Sequence, residues 1–119
     1  MKNISKERRI IMAEINDFDL GSHVKIDYYG EIKDGKPHGL GKAYFRNGSM
    51  YDGEWKDGKQ HGKAKEFYTD GTLQYEGDYK DGRRDGFGKV YANNGSLTYE
   101  GEWKNGEKVG GPSTRNNWA

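Results

Sequence analysis

Four copies of one twelve-residue string constrain this chain more than anything else in it. They are YYGEIKDGKPHG from Tyr28 to Gly39, YDGEWKDGKQHG from Tyr51 to Gly62, YEGDYKDGRRDG from Tyr75 to Gly86 and YEGEWKNGEKVG from Tyr99 to Gly110. The glycines at their third positions, Gly30, Gly53, Gly77 and Gly101, stand 23, 24 and 24 residues apart. A fixed period of this size marks a repeat architecture, in which each unit buries its apolar face only by stacking on a neighbour.

At 119 residues the chain has room for one domain. Leu, Ile, Val and Phe number only 17, which alone would hint at disorder. The net charge of +1 and the 9 Tyr and 3 Trp argue against that, because the aromatics recur in register and strands favour them. The predicted core is therefore aromatic and thin. With no cysteine, it has no disulfide to supplement it and no thiolate for catalysis or metal binding. Near neutrality also removes the basic surplus expected of a nucleic-acid binder. The longest apolar run near the start, Ile10 to Ala13, is far short of a signal-peptide core or a membrane span, so a cytoplasmic location is expected.

Residues 1–22 have a rhythm of their own. Ile4, Ile11 and Ile15 fall on one helical stripe, with Lys6, Glu7, Arg8 and Arg9 between them. This predicts a short N-terminal helix and linker that caps the first repeat. A second reading is a basic amphipathic helix on a membrane surface. From His23 onward Val24, Ile26 and Tyr28 alternate with polar residues, as in a strand.

Within a copy, Tyr51, Gly53 and Trp55 project to one face of a strand, and Asp52, Glu54 and Lys56 to the other. Asp57-Gly58 then predicts a tight hairpin, as do Asp34-Gly35, Asp81-Gly82 and Asn105-Gly106. A two-residue loop would set Gly53 opposite Gly62; a loop two residues longer would set it opposite Ala64. In either register the rings lie over small residues, so the glycines are expected to clear space for them. The return strands start at Gly39, Gly62 and Gly86 and end in second turns at Asn47-Gly48, Asp70-Gly71 and Asn94-Gly95. The predicted fold is mainly β, a single-layer antiparallel meander of stacked hairpins over residues 23–110, with a tail at 111–119 whose Trp118 folds back as a lid.

These strings resemble the MORN repeat family, whose units read Y-x-G-E-W-K-D/N-G-x-x-H-G-x-G. Tyr51, Gly53, Glu54, Trp55, Lys56, Gly58, His61 and Gly62 all fall where that motif wants them. The first copy departs at Ile32, the third at Asp85 and the fourth at Val109 and Pro112, which leaves about three and a half repeats. The segments KEFYTDGTLQYEGDYKDGRRDG and VYANNGSLTYEGEWKNGE also look like the variant repeats of bacterial YwqK-like proteins, a family described as antitoxin-like. The resemblance implies a non-enzymatic module that binds protein partners, membrane-proximal scaffolds or acidic phospholipids.

The residues themselves offer little chemistry. Glu31, Glu54, Asp78 and Glu102 form a column, each followed two residues later by Lys33, Lys56, Lys80 or Lys104, and a solvated charge ladder accounts for all eight. His38 and His61 recur without a third ligand, so a hydrogen bond to a turn or to the acid beside them is expected, and no metal. No glycine run opens a helix as a phosphate loop must, and no nucleophile stands out, so neither an enzyme nor a cofactor is expected. What remains is the aromatic face. Tyr28, Tyr51, Tyr75 and Tyr99 form one row, and Trp55, Tyr79 and Trp103 another. As pure structure the rings stack on glycines and on each other as a core; yet a single-layer ribbon has no second layer to cover them, so part of the face is expected to be exposed as a groove for a protein partner. The alternatives are attachment to an anionic membrane surface and self-association through open edge strands.

Overall fold

The computed structural model describes residues 11–109. They form one open sheet of nine strands whose spatial order is the order of the sequence. The strands are β1 (Ile11–Gly21), β2 (Val24–Lys33), β3 (Lys36–Phe45), β4 (Met50–Lys56), β5 (Lys59–Phe67), β6 (Leu73–Lys80), β7 (Arg83–Tyr91), β8 (Leu97–Lys104) and β9 (Glu107–Lys108). Every neighbouring pair is antiparallel. The molecule is elongated, 63 × 27 × 25 Å.

The tight turns follow from their Asp-Gly and Asn-Gly pairs. Asp34, Asp57, Asp81 and Asn105 have φ of 53°, 49°, 49° and 49°, and the glycine after each is also positive, the geometry of a type I′ hairpin. At the second turns only the glycine is left-handed, and a side chain supplies the rest. Asn47 Oδ1 accepts from the Ser49 amide at 2.9 Å, and Asp70 and Asn94 do the same for Thr72 and Ser96.

Both predicted registers occur, one after the other. Beside the turn Lys56 faces Lys59 and Trp55 faces Gln60, as in a two-residue loop. A bulge then advances the pairing by two residues, and Gly53 faces Ala64.

The N-terminal helix is not found: residues 11–21 are strand, and no helix occurs among the described residues. β1 instead pairs with the outer edge of β2. Its inner face carries Ala13 and Ile15, then Phe18 and Leu20, because a bulge around Asp17, at φ 58°, shifts the alternation by one residue. Ile15, Phe18 and Leu20 pack on the core. Residues 1–10 lie outside the described residues, as do the tail at 111–119 and its Trp118. Among the described residues no helix is long and apolar enough to cross a membrane, which says nothing about strands.

Candidate interaction site

The repeated spacing of each copy builds a self-satisfied unit. The tyrosine ring lies along its own strand, and its hydroxyl donates to the backbone carbonyl three residues on. Tyr28 reaches Glu31 at 2.5 Å, Tyr51 reaches Glu54 at 2.6 Å, and Tyr75 and Tyr99 reach Asp78 and Glu102 at 2.8 Å. Gly41 and Gly88 on the neighbouring strands make this possible, since a Cβ on either would strike the hydroxyl of Tyr28 or Tyr75. Burial raises the phenol pKa of Tyr28 and Tyr75 to about 12 and that of Tyr51 further, so these hydroxyls stay neutral donors.

The rings then join across repeats. Tyr28, Trp55, Tyr51, Tyr79, Tyr75, Trp103 and Tyr99 form one zigzag of edge-to-face contacts with centroids 5.0 to 5.7 Å apart. The indole N–H of Trp55 donates to Gly41 O at 3.1 Å. These are the seven residues expected to line a partner groove, and all but Tyr99 are buried. Of core and contact, the two roles open to the tryptophan row, the burial is that of core: Trp55 is 3% accessible and Trp103 5%.

Part of the cover comes from a pair that the sequence reading missed. Arg84 Nε and Nη2 each donate to the Glu66 carboxylate at 3.0 Å, and the guanidinium lies 4.3 Å from the Tyr75 ring centroid and 4.9 Å from that of Trp103. The available signal was Arg84 itself, which stands where the earlier copies have Pro37 and Gln60.

The acid column is not a ladder with the lysines two residues on. Glu31 Oε1 accepts the Leu40 amide at 2.6 Å, Glu54 Oε1 the Lys63 amide at 2.8 Å, and Asp78 Oδ2 the Phe87 amide at 3.1 Å. Each carboxylate thus satisfies an amide at the bulge of the returning strand. This also corrects the role of Gly62, which makes room for the Glu54 carboxylate rather than for a ring, and which sits at φ 102°. At Asp78 burial would raise the pKa, but the 2.6 Å hydrogen bond from Lys63 Nζ, the Phe87 amide and the lysine charge outweigh it and hold the group below its usual value. Charge compensation runs across the strands instead. On the outer face Lys42 faces Asp52, which faces Lys65, then Glu76, Lys89 and Glu100.

The histidine column joins one turn to the next. The Asp57 amide donates to His38 Nδ1 at 3.2 Å, and the Asn105 amide to Asp85 Oδ2 at 3.0 Å, so Asp85 supplies the acceptor that histidine supplies elsewhere. The glycine amides of the turns also donate backwards, Gly58 to Pro37 O, Gly82 to Gln60 O and Gly106 to Arg84 O, at 2.8 to 2.9 Å. Among the described residues no three His, Asp or Glu side chains gather as a metal site.

Above this core the inner face keeps an open trough of about 440 Å³. Tyr51 and Tyr79 edge its floor, Phe45, Met50, Phe67 and Tyr68 form its sides, and Gln60, Glu66 and Gln74 place polar groups along it. Trp55 reaches a separate depression of about 370 Å³ beside His38, Leu40 and His61.

The MORN repeat family model matches residues 28–50, 51–73, 75–97 and 99–110, well over half of the chain. No curated protein matches it. MORN repeats are commonly protein- or membrane-interaction modules and are generally non-enzymatic. The repeated tyrosine, glycine and acid contacts are the physical content of that match, and the chain belongs to the MORN repeat family.

Proposed function

We propose that this protein is a non-enzymatic, cytoplasmic interaction module that receives an extended segment of a protein partner along its inner aromatic face, in an adaptor, antitoxin or immunity role. The observation that carries the reading is the open trough with mixed aromatic, Met and amide sides over a rigid ring floor. A buried floor cannot rearrange, so a bound segment meets a preformed surface. In this reading the ladder of Tyr28, Tyr51, Trp55, Tyr75, Tyr79, Tyr99 and Trp103 supports the face, Tyr51 and Tyr79 edge the floor of the trough, and Met50, Tyr68 and Gln74 make the contacts. The test is a photo-reactive residue placed at position 74 in the native cell, with one at Lys42 on the outer face as control. The expected outcome is one protein adduct from position 74 and none from position 42; equal labelling from both would contradict the reading.

A second reading has an observation of its own. Lys33 faces Lys36, Lys56 faces Lys59 and Lys80 faces Arg83, all of them exposed. Like charges directly opposed on a sheet oppose folding, and repeating them at three successive hairpins, though not at the fourth, where Lys104 faces Glu107, makes a basic ridge suited to an anionic surface. Sedimentation with phosphatidylserine vesicles at physiological salt tests this. Binding lost on Lys56→Glu with Lys59→Glu supports it, and no binding by the unaltered protein removes it.

A further inference from the structure

Among the described residues one amide, amine or carboxyl side chain is buried, and it is Gln60, 8% exposed. Its position recurs in every copy as the second residue of the return strand. There Pro37 faces Ile32, Gln60 faces Trp55, Arg84 faces Tyr79 and Lys108 faces Trp103. The other three are finished within the chain. Pro37 has no polar side-chain atom and is wholly buried. Arg84 is held by Glu66 over the Tyr75 and Trp103 rings, and Lys108 Nζ stands over the Tyr99 ring. The Gln60 backbone carbonyl accepts the Gly82 amide at 2.9 Å, but its carboxamide has no hydrogen-bond partner among the described residues. Buried polar groups are nearly always bonded, so this one calls for a partner.

The surroundings define that partner. Gln60 and Phe45 line both the inner trough and an adjoining depression of about 510 Å³ that Leu20, Val24, Lys59 and Arg83 help to enclose. The carboxamide therefore stands where the two hollows meet. It carries two donors and an acceptor, which match a C=O and an N–H of one extended peptide backbone. Charge does not compete for the place. Glu66 is the one charged side chain lining the trough, and Arg84 already holds it through two nitrogens. A charged side chain entering the trough would find no free counter-ion, whereas Phe45, Met50, Phe67 and Tyr68 offer apolar sides.

We infer that Gln60 reads the main chain of the segment received by the inner trough. Its carboxamide donates to one peptide carbonyl and accepts from one peptide N–H, while a large apolar side chain of the segment lies against Phe45, Met50, Phe67 and Tyr68. The inference rests on the trough reading above and adds the chemistry of the occupant, a neutral, extended protein segment recognised through its backbone.

The probe is the capped peptide acetyl-SVFVS-amide, kept extended by its valines and titrated onto the full chain. Nuclear magnetic resonance should show saturable shifts of the Gln60 side-chain amide and the Met50 methyl. Replacing the peptide N–H groups by ester oxygen one at a time should weaken binding about fivefold at one position, and in Gln60→Met that loss should vanish. Gln60→Met and Gln60→Leu should melt no lower than the unaltered protein, since the group they remove is unpaired in the free chain. Lower melting of both variants would mean that the carboxamide is bonded within the chain, and would overturn the inference. An ester effect of equal size in Gln60→Met, or a Met50 shift without a Gln60 shift, would overturn it and leave the trough reading standing. Absence of saturable binding would also overturn it, and adducts from position 74 would still decide the trough reading separately.

Discussion

Tyr28 and Tyr99 occupy the same place in the first and last copies, and they are finished differently. Tyr28 is covered on one side by β1, through Ile15, and on the other by β3, through Ala43, and it is wholly buried. Tyr99 has Val90 of β7 on one side; towards the other, among the described residues, its hydroxyl reaches the Val109 carbonyl at 3.3 Å, and Lys108 Nζ stands 5.0 Å from its ring centroid. It is partly exposed. The ring and its hydrogen bond to the carbonyl three residues on are the same in both copies. Sealing is therefore a property of the neighbouring strands, not of the motif, and an array of such units needs something added at each end.

The largest expected contrast is in truncation of the rings. Trp55→Ala, which removes a ring wedged between Tyr28 and Tyr51, should cost about 3–5 kcal/mol in urea unfolding. Tyr99→Ala should cost about 1–2 kcal/mol, since part of that ring is already in water. Equal losses would mean that the last copy is as closed as the others. A smaller contrast separates two glycines. Gly88→Ala drives a methyl into the fixed Tyr75 hydroxyl and should cost about 1–3 kcal/mol. In Gly101→Ala the nearest atom is the Tyr99 hydroxyl at 2.8 Å, on a ring with room to give, and the loss should stay below about 1 kcal/mol.

The smallest effects concern pH. Tyr28 and Tyr75 have folded pKa values raised to about 12, chiefly by burial, and Tyr51 is raised further. Their contribution is fully present below the unfolded phenol value of about 10 and is lost as pH rises through the folded values, so melting temperature should fall in that window. At the acid end the carboxyls of Asp17, Asp70 and Asp78 are held low, Asp17 foremost by a hydrogen bond from Arg46, Asp70 by the Thr72 hydroxyl and Asp78 by Lys63 and the Phe87 amide against its burial. Their contribution is present above about pH 4 and is lost as pH falls through the depressed values. Melts across both ranges measure these two slopes.

Much of the array was legible because its local rules are strong. Asp-Gly and Asn-Gly forced the type I′ turns, and alternation assigned Tyr51, Gly53 and Trp55 to one face. β1 was not legible, because the bulge at Asp17 moves its inner residues from Ala13 and Ile15 to Phe18 and Leu20 and leaves no continuous period of two. Ile11 and Ile15 then read as a helical stripe. The acids were misread for a related reason. Alternation put Glu54 on the wet face, correctly, but the amide of Lys63 that its carboxylate accepts is exposed only by a bulge that no local pattern announces. The burial of the rings depended on the neighbouring strands and on Arg84 with Glu66, which meet across 18 residues of chain. The trough side chains Phe45, Met50 and Tyr68 lie at or beside the second turns, outside the twelve-residue strings that drew the reading to the rings.

Among the described residues, complete copies seal their tyrosines and the last copy does not. Limited nitration of the native protein, mapped residue by residue by mass spectrometry, tests it most directly, because the nine tyrosines are spread over all these settings. Tyr29 and Tyr44 on the outer face, each 42% exposed, should react first and Tyr99 next, while Tyr28, Tyr51 and Tyr75 stay unmodified until the protein unfolds. Nitration of Tyr28, Tyr51 or Tyr75 in the folded protein at the rate of Tyr99 would contradict the account.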